Sequence, residues 1–169
     1  MKSRAELYTL LPKNFIAAEL GCAEGYFSSD LCRMGAAKLF MVDNWGHIEK
    51  QTGDGNNPQT WHDKNYQDAM ARVKGYNVEV LRGISWEQAA KVADESLDLL
   101  YIDCCHEYGC VKNDLAAWVP KVKKGGVISG HDIANGAYGV ERAVTEFTGG
   151  RWTLIPENGP DASFYFVKE

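Results

Sequence analysis

Two stretches of this chain put acids and imidazoles at the ends of apolar runs. In the first, Leu97-Asp98-Leu99-Leu100-Tyr101-Ile102 leads into Asp103 and His106; in the second, Gly126-Val127-Ile128-Ser129-Gly130 leads into His131 and Asp132. Two carboxylates and an imidazole meeting in one crevice suit a divalent ion such as Mg²⁺ or Mn²⁺, with Asp103, His131 and Asp132 as its ligands. Such an ion would bind substrate oxygens and lower the pKa of the reacting one. His106 is the candidate general base, because an imidazole titrates near neutrality, and Asp103 and His131 are the further candidate catalytic groups. A plainer alternative stands beside this: Asp103 and Asp132 cap loops and helices, while the histidines bond locally or pack beneath the next helix. Residue types alone leave both open.

Elements that would position these groups follow from the pattern. Ser96 to Asp103 and Gly125 to Asp132 are apolar runs too short to be spanning helices, so each is expected to be a buried parallel strand. Between them Tyr108 to Val119 has Val111, Leu115 and Trp118 at i, i+4, i+7 and is stopped by Pro120, which predicts a helix. Strand, helix, strand of this length is a right-handed crossover that lays the two strands side by side. Both then end at one sheet edge, where open α/β sheets bind ligands.

The rest of the chain extends the alternation. A helical lead-in over residues 1–14, a strand at Phe15–Leu20, a helix carrying Phe27, Leu31 and Met34, and a strand at Lys38–Asp43 form a first βαβ unit. Asn44 to Thr60 lacks periodicity and is expected to be a long loop, of the kind that serves as a lid or binding loop. A helix follows with Tyr66, Met70 and Val73, then a strand at Asn77–Gly83. Ser85 and Gln88 have the spacing of a capping box opening a helix through Ala93. After the organising strands come a helix with Val140, Val144 and Phe147 on one face and two strands, Trp152–Pro156 and Ser163–Val167. The short connection through Asn158-Gly159-Pro160-Asp161 predicts that these two form an antiparallel hairpin. The expectation is one α/β domain over residues 1–169: a three-layer sandwich, Rossmann-like, around a mostly parallel sheet.

Composition narrows the class. A net charge of -5 gives no electrostatic footprint for nucleic acid or an anionic membrane, which leaves small molecules or a specific protein as partners. The N-terminus lacks a signal-like apolar core and no run is long enough to cross a bilayer, so a cytoplasmic location is expected. Five cysteines without paired CxxC spacing are expected to be reduced thiols packed as small apolar side chains. Trp45, His47, Trp61 and His62, in or beside the long loop, are candidates to touch ligand, against the alternative that a tryptophan anchors the loop to the core.

A glycine-containing turn, Gly21-Cys22-Ala23-Glu24-Gly25, follows the first strand, and Asp43 closes the second about 20 residues later, the general signature of adenosine-containing ligands. Asp43 would bind the ribose hydroxyls. A pyrophosphate needs a glycine where Ala23 stands. Glu24 would also repel it, by about 4 kcal/mol for like charges about 4 Å apart, or roughly a thousandfold in affinity. A ligand with a sulfonium and an ammonium and no phosphate meets no such objection, and Glu19 would favour it. S-adenosylmethionine is the expected ligand.

Taken together, Glu19-Leu20-Gly21-Cys22-Ala23-Glu24-Gly25-Tyr26-Phe27-Ser28, Tyr101-Ile102-Asp103-Cys104-Cys105-His106-Glu107-Tyr108, Asp114, Trp118-Val119-Pro120 and Gly125 to Asp132 resemble class I S-adenosylmethionine-dependent methyltransferases. The subgroup is the small bacterial and phage-type one related to sugar and antibiotic O-methyltransferases, and the likeness runs from about Phe15 to the end. The resemblance implies a seven-stranded sheet with an antiparallel C-terminal strand. It also implies cofactor contacts from Glu19, Gly21, Cys22, Ala23, Gly25 and Tyr26, from Asp43 and Asn44, from Gly83, Ile84 and Ser85, and from Asp103; its sugar O-methyltransferases hold a metal with acids at these strand ends. Cys104 and Cys105 depart from the pattern, standing where relatives usually show a glycine and a variable residue. With no cap domain before Phe15, substrate is expected to be held by loops or by a partner subunit, as in a homodimer.

Two further functions compete. A non-catalytic S-adenosylmethionine-binding module acting through a protein partner would need the glycine turn and Asp43 but nothing at His106, His131 or Asp132. A nicotinamide-dependent oxidoreductase is disfavoured by Ala23 and Glu24.

Overall fold

The computed structural model describes residues 4–49, 53–157 and 162–169. After a 3₁₀ turn at Arg4–Leu10, strands and helices alternate: β1 (Ile16–Leu20), α1 (Tyr26–Arg33), β2 (Lys38–Asp43), α2 (Gln59–Arg72), β3 (Val78–Arg82), α3 (Ser85–Gln88). β4 (Leu97–Ile102), α4 (Tyr108–Trp118), β5 (Val122–Gly130), α5 (Val140–Thr148), β6 (Thr153–Ile155) and β7 (Ser163–Val167) complete the chain. The seven strands form one sheet in the order β3-β2-β1-β4-β5-β7-β6. β1 to β5 pair in parallel, and β7 runs antiparallel to both β5 and β6.

This order reverses direction between β1 and β4. The chain steps outward from β1 to β3 and then returns to place β4 on the other side of β1, so the loops leaving β1 and β4 diverge and open a crevice. Period-two alternation explains why the strands can be buried on both faces. Leu100 and Ile102 of β4 pack with Leu115 and Trp118 of α4 on one face. Leu99 and Tyr101 pack with Leu31 of α1 and Ala69 of α2 on the other. Each buried leucine contributes about 1.5–3 kcal/mol, which offsets the entropy of ordering the strands.

Several local expectations change. α3 is a single turn followed by a 3₁₀ turn at Ala89–Lys91, and its N-cap is Ile84, with no side-chain cap. Ser85 is therefore no capping-box residue: its hydroxyl lies 3.8 Å from the Cys104 thiol, and its carbonyl takes the Trp118 indole N–H at 2.9 Å. Within the long loop a 3₁₀ turn forms at Gly53–Asn56, and α2 starts at Gln59. Phe147 is 45% exposed rather than part of the buried face of α5; its ring lies 6.2 Å from that of Phe166. The cysteines are not all reduced. Cys105 and Cys110 are joined in a disulfide, their Cα atoms 5.8 Å apart, because the turn into α4 brings them within bridging range. Cys22, Cys32 and Cys104 are free. The hairpin turn predicted at Asn158–Asp161 lies outside the described residues, among which no helix is long and apolar enough to cross a membrane.

One close approach holds the crevice together. The Asp103 N–H donates to the Leu20 carbonyl at 2.8 Å. Gly21, at φ +85°, lies so close to the Asp103 carbonyl and Cys104 Cα that any Cβ there would collide with backbone. Gly21→Ala is expected to lower Tm by about 5–15 °C, through overpacking and left-handed strain. A thermal melt that leaves Tm within 2 °C, on the order of experimental scatter, would refute the constraint.

Candidate active site

The turn after β1 is held by the end of β2. Asp43 Oδ2 accepts the N–H groups of Cys22 at 2.8 Å and Ala23 at 2.9 Å, and Oδ1 accepts that of Trp45 at 2.8 Å. The Trp45 indole N–H returns to the Ala23 carbonyl at 2.9 Å. Gly21 N–H donates to the Val42 carbonyl at 2.8 Å and Gly25 N–H to the Cys22 carbonyl at 2.7 Å. The amides of Gly21, Cys22, Ala23 and Gly25 are thus all used, so they are not available to cradle a pyrophosphate. Asp43 works first as a clamp on the turn, with one acceptor position left on Oδ1.

The acid on β1 sits deeper. Glu19 is buried and takes a hydrogen bond from the Ser28 hydroxyl. Burial pushes its pKa up to about 8; the Ser28 bond opposes this and the nearby Asp103 and Asp43 charges add to it. Near neutrality Glu19 is mostly protonated, and a cation bound beside it would favour the carboxylate.

At the ends of β4 and β5 the predicted groups meet. Each strand extends its ladder by one bond, His131 N–H donating to the Ile102 carbonyl at 3.1 Å. Asp132 takes a left-handed φ of +59°, tolerated by aspartate. His131 Nδ1 lies 3.2 Å from Asp132 Oδ2 and 4.0 Å from Asp103 Oδ1. One ligand atom from each of Asp103, His131 and Asp132 lies within 4.8 Å of the others, a set able to hold a hard divalent ion.

His106 joins this cluster. Its Nε2 is 3.0 Å from Asp132 Oδ2 and 3.5 Å from Asp103 Oδ1. Nε2 is buried and off the line of any hydrogen bond to them, a buried polar atom without a bonded partner. Burial alone would lower the pKa of His106, but Asp103 and Asp132 outweigh it and the net shift is upward. Its ring stacks on Tyr138, centroids 4.7 Å apart. Glu157, from the segment after β6, approaches His131 Nε2 at 3.8 Å. Sequence spacing does not show it, because it arrives from a distant hairpin.

Other predicted residues have different surroundings. Cys22 is buried with its thiol on the carbonyls of Glu19 and Val42, so only its backbone faces the turn. Tyr26 is 64% exposed, and its ring lies 3.9 Å from the Arg72 guanidinium. The Asn44 side chain donates to the Gly46 carbonyl. Gly83 bonds the Asp43 carbonyl at 3.0 Å, which brings the end of β3 to the crevice. Ile84 is exposed there, while Ser85 turns inward. Behind the crevice the Cys104 thiol donates to Asp114 Oδ2 at 3.1 Å. Burial raises the Asp114 pKa to about 6 against the pull of Ser85 and Cys104. Trp45 is fully buried and anchors the loop; His47 Nδ1 bonds the Asn57 carbonyl.

A seven-stranded, mostly parallel sheet with an antiparallel β7, and a glycine turn suited to a phosphate-free adenosine ligand, define a class I methyltransferase fold. A family model described as a methyltransferase domain matches residues 18–133. The chain belongs to this methyltransferase-domain family, and its fold is the one shared by S-adenosylmethionine-dependent methyltransferases. It is similar in fold to SMU.1697c of Streptococcus mutans, solved with S-adenosylhomocysteine: TM-score 0.71, 14% identity, 100% of this chain and 99% of that one. Similar too are CalS11, a calicheamicin methyltransferase (0.69, 16%, 96% and 76%), and an rRNA methylase of Streptococcus thermophilus (0.68, 13%, 98% and 93%). Among curated proteins, y4gI of Sinorhizobium fredii, itself uncharacterized, is 29% identical over 133 residues. That match takes in 75% of this chain but spans only 14% of the relative's length.

The raised Glu19 pKa has a measurable consequence. The folded chain keeps a proton that the unfolded chain releases near 4.5, so stability is full below that pH and declines as pH rises toward about 8. Glu19→Gln removes this term while keeping an acceptor for Ser28. The Tm difference between variant and wild type is expected to grow in favour of the variant from pH 4.5 to 8; a difference constant across that range would show that Glu19 is not a buried, protonated acid.

Proposed function

We propose that the protein transfers the methyl group of S-adenosylmethionine to a hydroxyl of a small, sugar-like or natural-product-like molecule in the cytoplasm. The observation that carries this is the meeting of Asp103, His106, His131 and Asp132 beside the glycine turn, at the edge where β4 and β5 both end. A cofactor-binding module would need nothing at His106, His131 or Asp132. CalS11 is also described as a TDP-rhamnose 3′-O-methyltransferase, which supports an oxygen acceptor on a sugar. The net charge of -5 and the acids around the crevice disfavour a polyanionic RNA substrate.

In this reading the glycine turn holds the adenosine end, and Asp43 keeps the turn in shape while offering Oδ1 to the ribose. Glu19 lies below as a latent carboxylate for the cationic end. Asp103, His131 and Asp132 would hold Mg²⁺ or Mn²⁺, which when bound polarises the acceptor hydroxyl. His106 is the base for the hydroxyl proton, and Asp132 and Asp103, beside its Nε2, stabilise the imidazolium that forms. Holding the acceptor oxygen in line with the sulfur–methyl bond contributes alongside this base.

A thermal-shift screen should show stabilisation by S-adenosylhomocysteine and none by NAD or NADP. His131→Ala and Asp132→Asn, the latter chosen because asparagine keeps the left-handed turn, should bind S-adenosylhomocysteine as wild type does while transfer falls by about 10²–10⁴-fold. Retained turnover in both would remove the cluster from the mechanism. Since a reducing cytoplasm would open the Cys105–Cys110 bond, transfer is measured with and without dithiothreitol.

A further inference from the structure

The cofactor carries one anionic group, its α-carboxylate, and the crevice as built from β1, β2 and β4 is hostile to it. Glu19, Asp43 and Asp103 are acids. The turn amides of Gly21, Cys22, Ala23 and Gly25 are already bonded. Arg82 donates to the carbonyls of Asn44 and Trp45, and Arg72 is turned to the Asp68 carbonyl and the Tyr26 ring. The first-turn amides of α1, which starts at Tyr26, can supply only part of what a carboxylate accepts, and further donors lie beside the turn.

α2 has them. His62 and Asn65 are only 6% and 4% exposed, and His62 Nε2 and Asn65 Nδ2 are buried without a hydrogen-bond partner. Both lie on the face of α2 that carries Ala69, and a Cβ on Gly25 would come within 2.8 Å of the Ala69 Cα. Tyr66, on the same face, packs edge-on against Trp45 at 5.1 Å, and Trp45 in turn bonds Ala23. The unpartnered donors therefore sit one to two helical turns along α2 from its contact with the glycine turn. An amide NH₂ is a donor, as is an imidazole nitrogen in its Nε2–H form, and leaving both unpaired in the free chain is costly unless a ligand completes them.

We propose that His62 and Asn65 form the receptor for the α-carboxylate of the bound cofactor. This rests on the assignment of the glycine turn to S-adenosylmethionine. It explains why a helix outside the recurring motifs keeps two buried polar side chains where apolar ones would pack at less cost.

Binding is measured by calorimetry with two probes: S-adenosylhomocysteine, which has the carboxylate, and 5′-methylthioadenosine, which lacks the amino-acid end. Asn65→Leu and His62→Phe are expected to weaken S-adenosylhomocysteine about tenfold to a hundredfold while leaving 5′-methylthioadenosine within about twofold. Because each replaces an unpaired polar group by an apolar one, the Tm of the free protein should hold or rise. Unchanged S-adenosylhomocysteine affinity in both variants would overturn the proposal alone, and an equal loss for the two probes with a lower Tm would reduce the pair to packing and overturn it too. Wild-type protein that binds neither probe would overturn the cofactor assignment and the proposal with it.

Discussion

The Asp43 carboxylate is the interaction on which this site depends. Three backbone N–H groups from two loops converge on it, and each bond is charge-assisted. Hydrogen bonds to a charged group contribute about 1.5–3 kcal/mol each, and the donors would otherwise be left unpaired. The turn after β1 includes Ala23 at φ +43°, a conformation that alanine adopts only under constraint. Asp43 and the Trp45 indole supply that constraint. The cost of an alanine in a glycine's place is thus met by the strand next door, and the outcome is a turn whose amides are spent internally. Such a turn discriminates against phosphates by having four of its amides already bonded.

From this follows the electrostatic character of the crevice. With Glu19, Asp43, Asp103 and Asp132 gathered around one sheet edge, mutual repulsion and burial have to be relieved. Glu19 relieves its share by holding a proton, and Asp103 and Asp132 do so by flanking His106 and His131. A cation, whether the sulfonium end of the cofactor or a divalent ion, fits a site poised in this way better than any neutral ligand does.

The parts of the fold legible in the sequence are those that depend on spacing along one element. Val111, Leu115 and Trp118 mark α4, and apolar runs ending in Asp103 and His131 mark β4 and β5, because burial on both faces keeps central strands mostly apolar. The right-handed crossover then brings Asp103 to His131 without further information. Features that depend on a meeting between distant segments were not legible. Ser85 and Gln88 match a capping box, yet the Cys104 thiol and the Trp118 indole, both distant in sequence, meet the serine instead. The disulfide between Cys105 and Cys110 depends on the angle at which the loop enters α4. Glu157 reaches His131 only once β6 has been placed at the far edge.

The buried polar atoms that lack partners lie on helices and loops. His62 Nε2 and Asn65 Nδ2 belong to α2, which lies against the glycine turn. His106 Nε2 and Asp114 Oδ1 belong to the loop and helix that follow β4. A core optimised for stability alone would have replaced or paired such groups, since each one left unpaired costs about 1–3 kcal/mol. The strands, whose ends line the crevice, show no such atom among the described residues. The crevice edge is where Gly21 forbids any side chain between β1 and β4, so the one place the backbone packs most tightly lies beside the places where bonding is left incomplete. Rigid backbone and unmet side-chain donors together are what preorganised binding requires.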